Sequence, residues 1–347
     1  MNNSPETPNC NSLPSTTRLS DRDNLPKLNF LRACAVLYVL TDHTLNSLGI
    51  HRIGRADMDW LGRMGVLFFF VHTCCVLMMS LERHRGERFL SSFYIRRAFR
   101  IYPLSIIFVL LAMLPVRSPQ LTYGAWLANL ALIQNLTFSQ NAFGSIWSLP
   151  LEMQMYLLLP VIFLLTKRYA SVWLPLALFV LSIPLAVWQP DHIARATVLA
   201  FVPAFLPGVI AYRLFRRAEE RYPSWGLPAT VLVITGGFLT YPNWRYSAWL
   251  ACFGLGLCVP FFQQIARPRL NRACFIIAKY SYGIYLSHAF LLTWMKPTWR
   301  GIPIYLCAVA GVSMACYHFI EAPSMLFGHR LTKKKKSGVA ATELIRA

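Results

Sequence analysis

The sequence predicts an all-α fold: a polytopic transmembrane helix bundle of about ten spans, with both termini cytoplasmic. Three observations predict it. Of the 347 residues, 56% are hydrophobic and 14% charged, more apolar surface than one water-soluble core can hide. The apolar residues gather in runs long enough to cross about 30 Å of hydrocarbon at about 1.5 Å per residue. The basic residues sit between those runs in short clusters that fall on one side when the runs are counted as spans.

In chain order, residues 1–27 are rich in Asn, Ser, Thr and Pro and lack the apolar centre of a cleaved signal. They read as a disordered cytoplasmic tail, so that the first helix itself directs export. Spans are expected at Leu28–Ser47, Gly65–Leu81, Ile101–Val116, Leu149–Thr166 and Val172–Trp188. Further spans are expected at Ala196–Phe215, Leu227–Tyr241, Ser247–Ile265, Phe275–Met295 and Ile302–Ile320. Tyr123–Leu136 is too short and amphipathic to span and reads as an interfacial or re-entrant helix on the outer side. Residues 28–328 thus form one transmembrane domain, and 329–347 a basic cytoplasmic tail whose run Lys333 to Lys336 anchors to lipid.

The positive-inside rule orients the bundle. Inner loops then carry Arg83, Arg85, Arg88, Arg96, Arg97 and Arg100, next Lys167 and Arg168, then Arg213, Arg216, Arg217 and Arg221. Arg267, Arg269, Arg272 and Arg330 follow on the same side, whereas Arg52, Arg55 and Arg63 dissent on the outer side. The net charge of +20 is spread over these loops and forms no single patch for nucleic acid. Its expected partners are anionic headgroups of membrane lipids or an anionic cytoplasmic substrate. The nine cysteines include no C-x-x-C pair and lie mostly within apolar runs, as small buried hydrophobes do.

Four polar constellations interrupt the apolar runs. Arg32 and His43 are eleven residues apart on the first helix; at about 100° per residue they share a face about 16 Å apart along the axis. Charged groups at such depth are costly and point to function, although a snorkelling Arg32 with a boundary His43 accounts for the same residues. Arg97 and Arg100 share a face at the cytoplasmic mouth, as a phosphate clamp or as ordinary positive-inside anchors. Ser148 is placed to cap a helix whose first turn holds Pro150 and Glu152; the carboxylate is either a partner for His43 or a first-turn complement to the helix dipole. Ser281, Tyr285 and His288, at spacings of four and three, share a face directed into the bundle. His72 reads as a helix-packing polar residue and Glu321, before Pro323, as an end-of-helix contact.

Taken in order, these segments resemble the acyltransferase-3 family of membrane acyltransferases. The matching residues are Arg32 with His43, Phe68-Phe69-Phe70-Val71, Arg97-x2-Arg100-Ile101-Tyr102-Pro103 and Trp147-Ser148-Leu149 with Glu152 and Tyr156. Ser281-Tyr282-Gly283-Ile284-Tyr285-Leu286 with His288, and Ile320-Glu321-Ala322-Pro323, complete the set. The chain departs from the pattern at Leu67, a position often acidic in the family, and at His72-Thr73-Cys74, where Ser-Gly is common.

The resemblance implies transfer of an acyl group, usually acetyl from cytoplasmic acetyl-CoA, to a hydroxyl of an extracytoplasmic or lipid-linked glycan. It implies a multi-pass protein of the bacterial inner membrane, in the short form without an appended hydrolase-like domain. It also implies that Arg32 and His43 are paired essential residues and that Arg97 and Arg100 serve the donor side, with Tyr102 beside them.

Acyl-CoA is expected as co-substrate, with no bound cofactor and no metal. Asp42 or Glu152 is expected to orient His43, which acts as a general base or carries the acyl group transiently. Ser148, Trp147, Tyr156, Tyr285, His288 and Ser281 are the acceptor-side candidates. The alternative class is a transporter or flippase for an anionic lipid or glycan precursor, which a basic mouth and a polar track would also serve.

Overall fold

The computed structural model describes residues 25–83, 89–113, 121–169, 171–192, 197–243, 245–295 and 297–332, with the backbone alone at 190–192. Residues 1–24 of the tail expected at 1–27, the lysine run Lys333 to Lys336, and Arg85 and Arg88 of the first inner cluster lie outside these residues; Pro26 and Lys27, assigned to that tail, instead open the first helix, with Lys27 buried. Within them the chain is almost entirely helical, and a helix stands at each expected span.

The first helix, α1 (Pro26–Ser47), has proline in its opening turn, where the missing N–H costs nothing. A two-residue hairpin, β1 (Arg52–Ile53) with β2 (Ala56–Asp57), pairs Arg52 with Asp57 and Ile53 with Ala56 before the helical turn Met58–Trp60. The all-α reading did not include it. The hairpin turns at Gly54, whose φ of +59° suits glycine. Next come α2 (Leu61–Arg83), α3 (Phe89–Ala112) and the short α4 (Tyr123–Leu130). They are followed by α5 (Ser148–Arg168), α6 (Trp173–His192), α7 (Val198–Phe215) and α8 (Gly226–Thr240). The last four are α9 (Tyr246–Cys258), α10 (Pro268–Met295), α11 (Ile302–Cys316) and α12 (Ala322–Thr332).

By length and composition, Met58–Arg83, Gly144–Arg168, Val198–Phe215 and Trp299–Thr332 are apolar enough to cross a membrane. Helices α1, α3 and α10 have 22, 24 and 28 residues, enough for about 30 Å, but carry charged side chains. Those three helices supply most of the polar site. The eight residues of α4 reach only about 12 Å, and the chain then breaks at Leu132 and Phe138, both with positive φ. Outward-facing leucines and valines such as Leu157, Val161, Leu232 and Val233 are exposed, as a lipid-facing surface requires.

Helix α1 packs between α2 and α10. The approach to α2 depends on Gly65, since a Cβ there would strike the carbonyl oxygen of Ala35. Helices α11 and α12 are joined by a π-helical stretch, Tyr317–Glu321, and α12 packs along α3. One end of α1 is clasped by Lys27, whose Nζ donates to Glu220 Oε1 at 2.8 Å, Phe262 O at 2.8 Å and Pro260 O at 3.2 Å. Partial burial would raise the Glu220 carboxyl, but hydrogen bonds from Lys27 and Gln264 outweigh it and hold the group below its ordinary value.

Candidate active site

Three chambers lie in sequence along α1. One, of about 1670 Å³ including its open mouth, is lined by Leu28, Asn29 and Arg32 of α1 together with Glu82, Arg83, Arg100 and Lys279. The middle chamber, about 740 Å³, shares Arg32, His72, Val76 and Arg100 with it. A third, about 1320 Å³, is lined by Asp42, His43 and Asn46 at the other end of α1 and shares Val66 and Tyr285 with the middle one. Arg32 and His43 thus face successive chambers of one row, the separation their spacing on the helix requires.

The middle chamber gathers the cations. Arg32 Nε donates to Ser281 Oγ at 2.7 Å, and Arg100 donates to Glu321 Oε2 at 2.7 Å and meets Met325 Sδ at 3.2 Å. Glu321 is only 1% exposed, so it is no loose end-of-helix contact: the π-helical stretch turns it inward against α3. Arg97 lines the same chamber, and its buried Nε has no hydrogen-bond partner. Glu152 lies within electrostatic reach of Arg32, Arg97 and Arg100, and the Tyr156 hydroxyl donates to its Oε1. Three guanidinium groups therefore meet two carboxylates around an open space, leaving positive charge for an anion to complement. His72, read as a helix-packing residue, borders both this chamber and the mouth, and its buried Nδ1 has no hydrogen-bond partner.

The far chamber is built differently. His43 is half-exposed and its ring lies 5.1 Å from that of His288, centroid to centroid. His288 is fully buried; its Nδ1 hydrogen-bonds Ile284 O at 2.9 Å, which makes Nδ1 the protonated nitrogen and leaves Nε2 unpartnered. Asp42 Oδ2 stands 3.9 Å from His43 Nδ1, beyond hydrogen-bond range, because adjacent helical residues diverge by about 100°. Asp59, Trp60, Arg63, Ser145 and Trp147 complete the wall.

Several expected placements change. Glu152 lines the arginine chamber and not the His43 chamber, so the acid-base partnership read from their shared outer side has no geometric basis. Ser148 is the first residue of α5 and not its cap; its Oγ hydrogen-bonds the Tyr285 hydroxyl at 2.7 Å. Ser148, Tyr156 and Ser281, expected beside the acceptor, line the arginine chamber, whereas Trp147 lines the His43 chamber and Tyr285 borders both. Tyr102, expected beside the donor, turns aside to bond Ala131 O at 3.1 Å. The shared face of Ser281, Tyr285 and His288 is as expected: all three are buried and meet Arg32, Ser148 and His43 in turn. Sequence reasoning passed over Asn46, Asp59 and Trp60, and the outer-side dissenter Arg63 was the available signal for them.

The fold and site together define a helical bundle with helices long and apolar enough to cross a membrane, a basic chamber at one station and an accessible histidine at the next. A family model described as an acyltransferase domain, of the acyltransferase-3 type, matches residues 25–319, and the chain belongs to that family. Neither the comparison with curated proteins nor that with solved structures finds a match. The matched stretch takes in all three chambers except Met325 of the mouth, and ends just before Glu321.

Proposed function

We propose that this membrane acyltransferase moves an acyl group, acetyl in the simplest case, from a cytoplasmic CoA thioester to a glycan hydroxyl on the other side of a bacterial inner membrane. The observation that carries the reading is the row of chambers along α1, each sharing wall residues with the next, cationic at Arg32, Arg97 and Arg100 and ending at His43. The basic inner loops support an orientation with the mouth beside Arg83 and Lys279 in the cytoplasm, about ten crossings and both termini inside.

The phosphates of CoA are held by Arg97 and Arg100, the two with donors left to offer or a carboxylate to share. Arg32, fixed by Ser281, stands where the pantetheine arm passes towards His43. His43 takes the proton of the acceptor hydroxyl as its oxygen attacks the thioester carbonyl. The new C–O bond forms, the C–S bond breaks, and CoA leaves as the thiol once its sulfur is protonated. Glu152, bonded to Tyr156, balances the arginines and keeps their geometry when the site is empty. No observation favours the transporter alternative.

The test is turnover. Purified protein in lipid discs, given acetyl-CoA and glycan extracted from the same cells, is expected to release one free thiol for each ester formed. Substrate movement without thiol release would refute the reading.

A further inference from the structure

The His43 chamber contains polar atoms that the fold leaves open. Asp42 Oδ1, Asn46 Oδ1 and Ser145 Oγ are buried without hydrogen-bond partners, and all three residues line this one chamber. Asp42 and Ser145 are 5% and 2% exposed, so both are held within the wall of the chamber. Native folds rarely leave such atoms open without a reason, and three around one space point to a ligand that supplies the missing bonds. The Asp42 side chain is also held in place: it packs so closely on Gly62 that a Cβ there would come within 2.5 Å of Oδ2. It does not bond His43, so its free oxygen is directed to other work.

We propose that this chamber is the subsite for an uncharged, polyhydroxylated acceptor unit, a sugar residue bearing no carboxylate or phosphate, and that Asp42 determines that specificity. The chemistry of acylation rests on the function proposed above, but the binding does not. A carboxylate oxygen and an amide oxygen accept hydrogen bonds, so the matching ligand brings donors, as the hydroxyls of a sugar do. Two indoles, Trp60 and Trp147, face the same space and offer flat surfaces to the C–H faces of a sugar ring. Trp60 is propped by the Arg63 guanidinium at 5.2 Å and by Phe238, edge-on, at 6.1 Å. An anionic unit would bring more acceptors to acceptors already unsatisfied. It would also meet two acidic residues, Asp42 and Asp59, with Arg63 the one arginine in the lining.

Titration calorimetry on the full chain in lipid discs tests this without turnover, using methyl glycosides of neutral hexoses, the matching methyl uronates, and CoA as a separate titrant. At least one neutral glycoside is expected to bind saturably, with its uronate at least tenfold weaker. Asp42→Asn, nearly the same size, is expected to weaken that glycoside about tenfold and erase the preference, and Trp60→Leu to weaken it as well. CoA affinity should stay within about twofold in both variants, which shows that they are folded. The proposal is overturned if no neutral glycoside binds to protein that binds CoA, if a uronate binds as tightly, or if Asp42→Asn binds the glycoside like the native chain. Glycoside binding without CoA binding would leave this subsite standing and remove the acyl-CoA reading instead.

Discussion

His43 and Arg97 carry the proposed chemistry at the smallest scale, and they are expected to fail differently. His43→Ala removes the proton acceptor but touches no phosphate site, so ester formation should fall by about 10²- to 10⁴-fold while CoA still binds. Arg97→Ala removes a cation whose Nε awaits a partner, so CoA affinity should fall by about tenfold or more, read by calorimetry. Arg97→Lys should recover only part of it, because an ammonium lacks the planar fork. Arg100 is a poorer choice for such a test. Cutting its 2.7 Å bond to buried Glu321 strands a carboxylate and damages the fold along with the site.

Helices, not single residues, decide whether the chambers line up. Gly65→Val would drive a side chain into the carbonyl of Ala35 and force α2 away from α1. Loss of folded protein in detergent, seen as a broadened size-exclusion peak, is the expected outcome. The Lys27 clasp is a milder case. Lys27→Met would leave two carbonyls and Glu220 short of a donor, a loss of about 1–3 kcal/mol read from thermal unfolding, with little change in CoA affinity. Glu220 has a folded-state pKa below its ordinary 4.5, so its share of the clasp is present in full above that value and is lost as pH falls through the lower one, while the two carbonyl bonds remain. Part of the difference between Lys27→Met and the native chain should therefore disappear under acid conditions. Three of the helices that line the site, α1, α3 and α10, are the long helices whose charges keep them from reading as simple spans. Low apparent hydropathy in a long helix of this bundle marks the working core.

At the scale of the whole molecule, the proposed orientation puts the two ends of the row of chambers in different compartments. A cysteine placed at Asn46 is expected to react with a membrane-impermeant maleimide on intact cells, and one placed at Lys279 only in inverted vesicles. Reaction of both from one side would overturn the proposed orientation. Because donor binding is carried by arginines near an open mouth, the affinity for CoA should also weaken as salt rises.

Much of this molecule could be read from its sequence. Composition and apolar runs determined the helical class, and a helix stands where each run predicted one, because burial of backbone hydrogen bonds in lipid leaves few other options. The spacing of Arg32 and His43, and of Ser281, Tyr285 and His288, determined which side chains share a face, since helical geometry is local. Only the tertiary structure decided which faces meet. Glu152 fell among arginines and not beside His43, Glu321 became a buried partner of Arg100, and Asp42 turned from His43 towards an open chamber. Each outcome depends on the rotation and depth of one helix against another. Those are set by Gly65, by the π-helical stretch and by the packing of α12 on α3, contacts between segments far apart in the chain that no local periodicity encodes.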